Sequence, residues 1–324
     1  MSTAVPELPT SPRLSEWQTP CDVDAVLLVR EVERREKRDG SAFLRLLLGD
    51  RSGTIPAVMW DPGAAVEGLR AGTPAQVGGR CSEHPRYGRQ LTVATVDSVA
   101  GDDVDWSLLL DAPARCVREL SDALDALLAS IAQPHLAALM VRLLGPGTPT
   151  GRCFRLAPAA KFNHHAYRHG LLEHALDVAH GVDRLCAVFG ADRDLAVCGA
   201  LLHDIGKLEA YRQEGGAIDL TDAGKLLGEI PLGYYRVRQA IEQDPDFPGE
   251  IAQRLLHIVL SHHGRLEYGS PVVPSTREAT LVHTVDNLSG QMGAYDRLAK
   301  QAGDERWSRF ERVLGAAAFV PRPV

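Results

Sequence analysis

"GALLHDIGKLEAY", residues 199–211, decides how the second half of the chain folds. Leu201, Leu202 and Ile205 carry an apolar helical pattern. It runs directly into an imidazole (His203), a carboxylate (Asp204) and an ammonium (Lys207). A short core helix gains no packing from such groups, and a buried polar group without a partner costs free energy. The helix therefore ends in solvent or against something that these groups hold. Neighbouring side chains on a helix diverge by about 100°, so His203 and Asp204 can address different ligands. Lys207, three residues past Asp204, returns to nearly the same face and can meet the charge of a phosphate.

The same mixture recurs along the helical half, in "HHAYRHGLLEHALDVAH" (164–180), "GKLLGEIPLG" (224–233), "VLSHHG" (259–264) and "LVHTVDNLSG" (281–290). Ten of the chain's 12 histidines lie between His164 and His283, which makes the clustering the fact to explain. One imidazole in an apolar helix reads most simply as a packed side chain with one backbone hydrogen bond. Five such elements in series would need several unrelated buried polar groups, and a metal removes that cost. Imidazole mixed with carboxylate suits Mn²⁺, Fe²⁺, Zn²⁺ or Mg²⁺. Two ions about 3.5–4 Å apart, sharing a carboxylate, activate water and clamp a phosphoryl group for in-line attack.

The rest of the chain frames this centre. Its 324 residues allow two or three domains, and a formal charge of −7 leaves any nucleic-acid contact to a local patch. The six cysteines are scattered without a CxxC pair, which predicts packed thiols in a reducing compartment and no structural zinc. No signal peptide and no membrane span are expected, so the predicted location is the cytoplasm. Residues 1–20, rich in Pro, Ser and Thr, read as a disordered tail. Residues 21–101 read as about five short strands with Gly-bearing turns, the texture of a small barrel. "PGAAVEGLRAGT" (62–73) leaves room for a helical turn between the third and fourth strands. Residues 112–150 read as a helical linker of two helices separated at Pro134. Residues 151–315 read as a further domain, helical from about residue 165, with segments at 170–189, 192–209, 222–243, 249–262 and 276–301.

In this order and spacing, His174, His203-Asp204, His262/His263 and Asp286 resemble the HD superfamily of metal-dependent phosphohydrolases, an all-helical fold. "HHAYRHGLLEH", "LLHDIGK", "GKLLGEI" and "SHHGRLEYGSPVVPSTREATLVHTVDNL" resemble, more narrowly, the YhaM-type 3′-5′ exoribonucleases. In that family an OB-fold precedes the HD domain, and the likeness covers nearly all of the chain between the tails. The resemblance implies a multidomain α and β chain: an N-terminal OB-fold β-barrel followed by an all-α HD domain. It implies that His174, His203, Asp204 and Asp286 hold one divalent ion, Mn²⁺ foremost. Asp204 would bridge to a second ion held by His262 and His263. The family usually has His where this chain has Glu229, and a carboxylate there favours harder ions while adding negative charge. Glu229 reads equally well as a solvated helix residue before Pro231. Lys161, His165 and Tyr167 would line the substrate side, and Asp204 and Lys207 would be the catalytic pair. Glu173 neighbours His174 but points off its face, so it is left outside the ligand set.

"FLRLLLGDRSGTIPAVMWD" (43–61) looks like the OB-folds of single-strand-binding proteins. Such surfaces stack bases on aromatics beside basic side chains. Phe43, Trp60, Arg86, Tyr87 and Arg89 are the candidates, although Phe43 and Trp60 suit a barrel interior as well. The leading expectation is a 3′-5′ exoribonuclease acting on single-stranded RNA, with single-stranded DNA open as a second substrate, and releasing 5′-mononucleotides. A nucleotide or cyclic-nucleotide phosphohydrolase is one alternative, although the HHExxDGxGYP run of cyclic-di-GMP enzymes is missing. A nucleic-acid-binding protein with a degenerate HD site is the other. The sequence is compatible with a homo-oligomer and does not fix the subunit number.

Overall fold

The computed structural model describes residues 12–321, apart from 38, 64, 65, 67, 85–87, 101, 102, 111, 114, 162–164, 215, 216 and 302–305. The chain divides into two compact units, Met1–Asp111 with Glu214–Ala217, and Ala112–Gln213 with Ile218–Val324. No described helix is long and apolar enough to cross a membrane.

The first unit is a closed five-stranded barrel: β1 (Cys21–Glu36), β2 (Ala42–Asp50), β3 (Gly53–Met59), β4 (Pro74–His84) and β5 (Gly88–Ser98). The strands close in the order β1-β2-β3-β5-β4, an OB-like arrangement. The long β1 serves both halves, because its start pairs with β4 (Cys21↔Cys81 to Leu28↔Pro74) and its end with β2 (Leu28↔Gly49 to Glu36↔Ala42). A register shift between Val29 and Glu31 bends the strand between these two tasks. A second shift at Gly78/Gly79 bends β4, and a Cβ on Gly79 would overlap the Thr92 carbonyl of β5. Val23, Ala25, Leu27, Leu46, Leu48, Ile55, Val77, Leu91 and Val93 fill the interior at the alternate positions expected of a barrel. Between β3 and β4, Val66 and Leu69 close two successive turns on Gly63 and Val66, and Leu69 caps the core.

Residues 12–20 do not behave as the disordered tail their composition predicts. Leu14 and Trp17 are buried in the barrel core, and the Leu14 N–H donates to Asp50 Oδ2 at 2.7 Å. These two apolar side chains and the bond to Asp50 order the Pro- and Ser-rich segment against the barrel. The short helix α1 (Trp106–Leu109) follows β5 and accepts the Arg51 N–H at the Leu108 carbonyl.

The second unit holds α2 (Val117–Ala129), α3 (Pro134–Leu144), α4 (Pro149–Leu156), α5 (Gly170–Phe189), α6 (Arg193–Leu202) and α7 (Lys207–Ala210). It continues through α8 (Asp222–Leu226), α9 (Glu229–Ile241), α10 (Gly249–Ser261) and α11 (Arg277–Gln301). Pro134 opens α3 at a position where its missing N–H costs nothing. Leu120, Leu124, Leu136, Met140 and Phe154 join the same core as α5, α6 and α10, so residues 112–150 are part of the helical body and not a linker to it. Helix α5 is buried almost all round from Gly170 to Ala179 because α2, α4, α6 and α11 surround it. Two hairpins interrupt the helical texture: β6 (Tyr211–Glu214) with β7 (Ala217–Leu220), and β8 (Trp307–Glu311) with β9 (Ala316–Phe319). The helices expected at 192–209 and 222–243 are each broken. The first gives way to a turn at residues 203–206, the second to Gly228 at φ +78.

Candidate metal centre

Those two breaks build the site. Helix α6 stops at Leu202, and His203, its C-cap, folds back so that Nδ1 lies 2.7 Å from the Ala200 carbonyl. His262 repeats the device at the end of α10, with Nδ1 2.8 Å from the Val259 carbonyl. A carbonyl only accepts, so each Nδ1 carries the proton and each Nε2 aims a lone pair inward. Each ring is also a favourable cap for the free carbonyls of its own helix end. His174 enters from the second turn of α5 and Asp286 from α11.

The groups converge. His174 Nε2 lies 3.2 Å from His203 Nε2, 3.4 Å from Asp204 Oδ2 and 3.1 Å from Asp286 Oδ1. His203 Nε2 is 3.3 Å from Asp204 Oδ2. Atoms bound to one small ion at about 2.1 Å sit about 3.0–3.4 Å apart, so His174, His203 and Asp204 fit a single divalent cation, with Asp286 Oδ1 beside His174 and 3.7 Å from His203 Nε2. Asp204 divides its oxygens: Oδ2 faces His174, His203 and the Lys207 ammonium (2.6 Å), while Oδ1 faces His262 Nε2 at 3.6 Å. Beyond His262, His263 Nε2 stands 3.5 Å from Glu229 Oε1. Rings of His165, His174, His203, His262 and His263 form a row with successive centroids 4.5–5.5 Å apart.

The buried charges of the cluster stabilise one another. Burial disfavours a charged His174, but hydrogen bonds to Asp204 and Asp286 outweigh it and raise its pKa to about 9. Burial likewise works against ionised Asp204, and Lys207 and the imidazoles reverse it, holding the carboxyl well below its usual range. The Asp286 carboxyl is lowered against its burial by His174 and His203. The decisive atom for the fit is His262 Nε2, which is buried and has no hydrogen-bond partner among the described residues. A lone pair left so in a fully buried ring costs about 1–3 kcal/mol, and a cation beside Asp204 Oδ1 would remove that cost.

Glu229 is the first residue of α9, and a Cβ on Gly206 would overlap its carbonyl oxygen. The "HDIGK" glycine therefore lets α9 back directly onto the turn that bears Asp204. Of the residues expected on the substrate side, His165 is buried with its ring 5.5 Å from that of His174. The Tyr167 hydroxyl donates to Glu173 Oε2 at 2.7 Å, and Lys161 is paired with Asp219 at 2.9 Å. Glu173, left outside by sequence reasoning, is buried, and Arg115 also reaches it, at 3.4 Å. No local signal marks this role, since Arg115 arrives from 58 residues away. Tyr211 was also missed: its phenol lies where burial raises its pKa and the charges of Lys207, Glu229 and Asp204 are felt. Its position four residues after Lys207 is the only sequence signal for it.

On the barrel, Phe43 and Trp60 stack on one another with centroids 5.2 Å apart. Trp60 is half exposed, with Lys37 Nζ 5.9 Å above its ring, so these two aromatics lie outside the core. Beside β1 and β2 a cavity of about 660 Å³ is lined by Val32, Arg34, Leu44 and Pro62. Arg89 is a correction to the expected binding surface. Its guanidinium donates to the Leu14 and Trp17 carbonyls at 2.7 and 2.9 Å, which makes it an anchor for the N-terminal segment. Arg86 and Tyr87 lie outside the described residues.

The family model of the HD domain matches residues 171–291, the stretch that carries His174 through Asp286. The class is thus that of HD-domain proteins, whose fold implies a divalent metal, here with an OB-like barrel in front. The 3′-5′ exoribonuclease YhaM of Shouchella clausii is 30% identical over 297 residues, covering 90% of this chain and 90% of the relative. Its counterpart from Bacillus subtilis is 30% identical over 90% of this chain and 91% of the relative. That of a Geobacillus species is 31% identical over 85% and 84%. The chain belongs to the YhaM family of 3′-5′ exoribonucleases.

Proposed function

We propose that the protein hydrolyses single-stranded RNA from its 3′ end and releases 5′-mononucleotides, using two divalent ions, Mn²⁺ foremost, with single-stranded DNA as a second substrate. The observation that carries this reading is the division of Asp204 between two sets of nitrogen donors, His174 with His203 on one oxygen and His262 on the other. His174, His203, Asp204 and Asp286 would hold one ion; His262, His263 and Glu229, with Asp204, the other. When bound, such ions supply an activated water and neutralise charge on the phosphodiester. Lys207, 2.6 Å from Asp204, fixes that carboxylate and is the nearby cation for the phosphate or the leaving 3′-oxygen. His165 and Tyr167, oriented by Glu173, would flank the substrate on the His174 side. Phe43 and Trp60, with Lys37, would stack bases of the strand on the barrel.

The test is incubation of the purified protein with 5′-labelled single-stranded RNA and DNA under Mn²⁺, Mg²⁺ or chelator. A ladder that shortens from the 3′ end with Mn²⁺ and stops with chelator is the expected result. Oligomer binding without turnover under every divalent ion would overturn it in favour of a degenerate site.

A further inference from the structure

The loop joining α10 to α11 holds an aromatic side chain outward for which the fold has no use. Tyr268 is 59% exposed, and the Arg265 guanidinium lies 5.6 Å over its ring. The loop is nevertheless pinned at both ends. Gly264, at φ +77, passes so close to His283 that a Cβ would overlap the imidazole, and Gly269 turns back at φ +86. Ser270 is buried and donates to the Leu260 carbonyl at 3.1 Å. The loop is tied to the metal centre itself, because the Tyr268 carbonyl accepts from His263 Nδ1 at 2.8 Å. His263 in turn faces Glu229 at 3.5 Å, and its ring lies 4.5 Å from that of His262. An exposed tyrosine is an ordinary surface residue. One backed by an arginine, on a glycine-hinged and anchored turn one hydrogen bond from the histidine row, is a preset flat surface beside the reaction site.

We propose that Tyr268, with Arg265 behind it, is the shelf on which the nucleobase of the 3′-terminal nucleotide stacks. This rests on the exoribonuclease reading above. Every base presents a π face, so such a shelf tolerates any sequence while demanding a base, and Arg265 adds a cation for the adjoining phosphate. The shelf thus selects a nucleotide end over other phosphodiesters. Tyr268 acts in binding, and its loss falls on KM before kcat.

The experiment is a cycle between the side chain and the base. Wild type, Tyr268→Ala and Tyr268→Trp are compared with Mn²⁺ on a 5′-labelled RNA and on the same RNA ending in an abasic ribose. Tyr268→Ala is expected to raise KM on the intact RNA about tenfold, and Tyr268→Trp to keep it near wild type. On the abasic RNA, wild type is expected to lose the same factor and Tyr268→Ala to lose nothing more. An equal loss for Tyr268→Ala on both substrates overturns the shelf and leaves Tyr268 as a structural prop for His263. A Tyr268→Ala protein indistinguishable from wild type also overturns it, while the wild-type ladder shows the exoribonuclease reading intact. A wild-type protein that leaves both RNAs uncut overturns that reading and the shelf together.

Discussion

Replacing His262 by Gln separates a buried core histidine from a metal ligand. In the metal-free protein the change removes the Nδ1 bond to the Val259 carbonyl, worth about 1 kcal/mol. The Gln amide takes the place of the buried, unpartnered Nε2, so the cost of a polar group there is neither added nor relieved. Only the lost bond counts, so stability in chelator should fall by about 1 kcal/mol. The response to metal should change far more. An ion at one hundred times its Kd stabilises the folded state by about 2.7 kcal/mol, which for a unit of this size is about 5–11 °C in Tm. A 10- to 100-fold weaker site retains only about 0.4–1.4 kcal/mol at the same concentration. The assay is a thermal melt of both proteins in chelator and in graded Mn²⁺, read as the difference between the two metal-induced shifts. That difference is independent of any cost the substitution carries by itself. Equal shifts in wild type and His262→Gln would refute the ligand role, and the orphaned nitrogen would be a packing accident.

The chelated protein should also lose stability between about pH 6.5 and pH 9. The folded-state pKa of His174 is raised to about 9 from 6.5, so its contribution is complete below 6.5 and lost as pH climbs through 9. The loss amounts to about 3 kcal/mol, checked by urea midpoints at pH 6 and pH 9.5, and a flat profile would contradict it. Metal affinity should run the other way and rise with pH over the same window, because a ligand imidazole must be neutral. Glu229→His should raise turnover with Mn²⁺ or Zn²⁺ relative to Mg²⁺, measured as a ratio of initial rates, since imidazole suits the softer ions. Lys207→Met should destabilise the chelated protein by about 1.5–3 kcal/mol, because it removes a charge-assisted hydrogen bond from buried Asp204 and leaves His174 as the remaining cation. Saturating Mn²⁺ should restore part of that loss.

Helix-borne features were the legible ones. His174, His203, Asp204, His262 and Asp286 stood out because each polar group interrupts an apolar helical run, and convergence was the economical explanation. Glu173 stayed hidden because its burial depends on Arg115 and Tyr167, partners that no helical period encodes. Leu14 and Trp17 were hidden by their Pro- and Ser-rich neighbours, since composition averages away two anchoring side chains. Arg89 looked like a phosphate contact because charge is visible in a sequence, whereas the carbonyls that consume it are not. The breaks at 203–206 and Gly228 leave no mark in the helical period. Apolar spacing continues across both, and tertiary contact at Gly206 decides where the backbone turns.

The backward fold of His203 and His262 onto their own helix ends has an outcome for how this centre can change. Both nitrogen donors take their aim from backbone three residues earlier, so neither needs a distant neighbour to orient it. Position 229 has no such local tether and merely rides on the first turn of its helix. Exchanging one side chain there alters the charge of the pocket by a full unit while the two imidazoles keep their bearings. Ion choice can thereby drift among descendants of one scaffold without the scaffold being rebuilt.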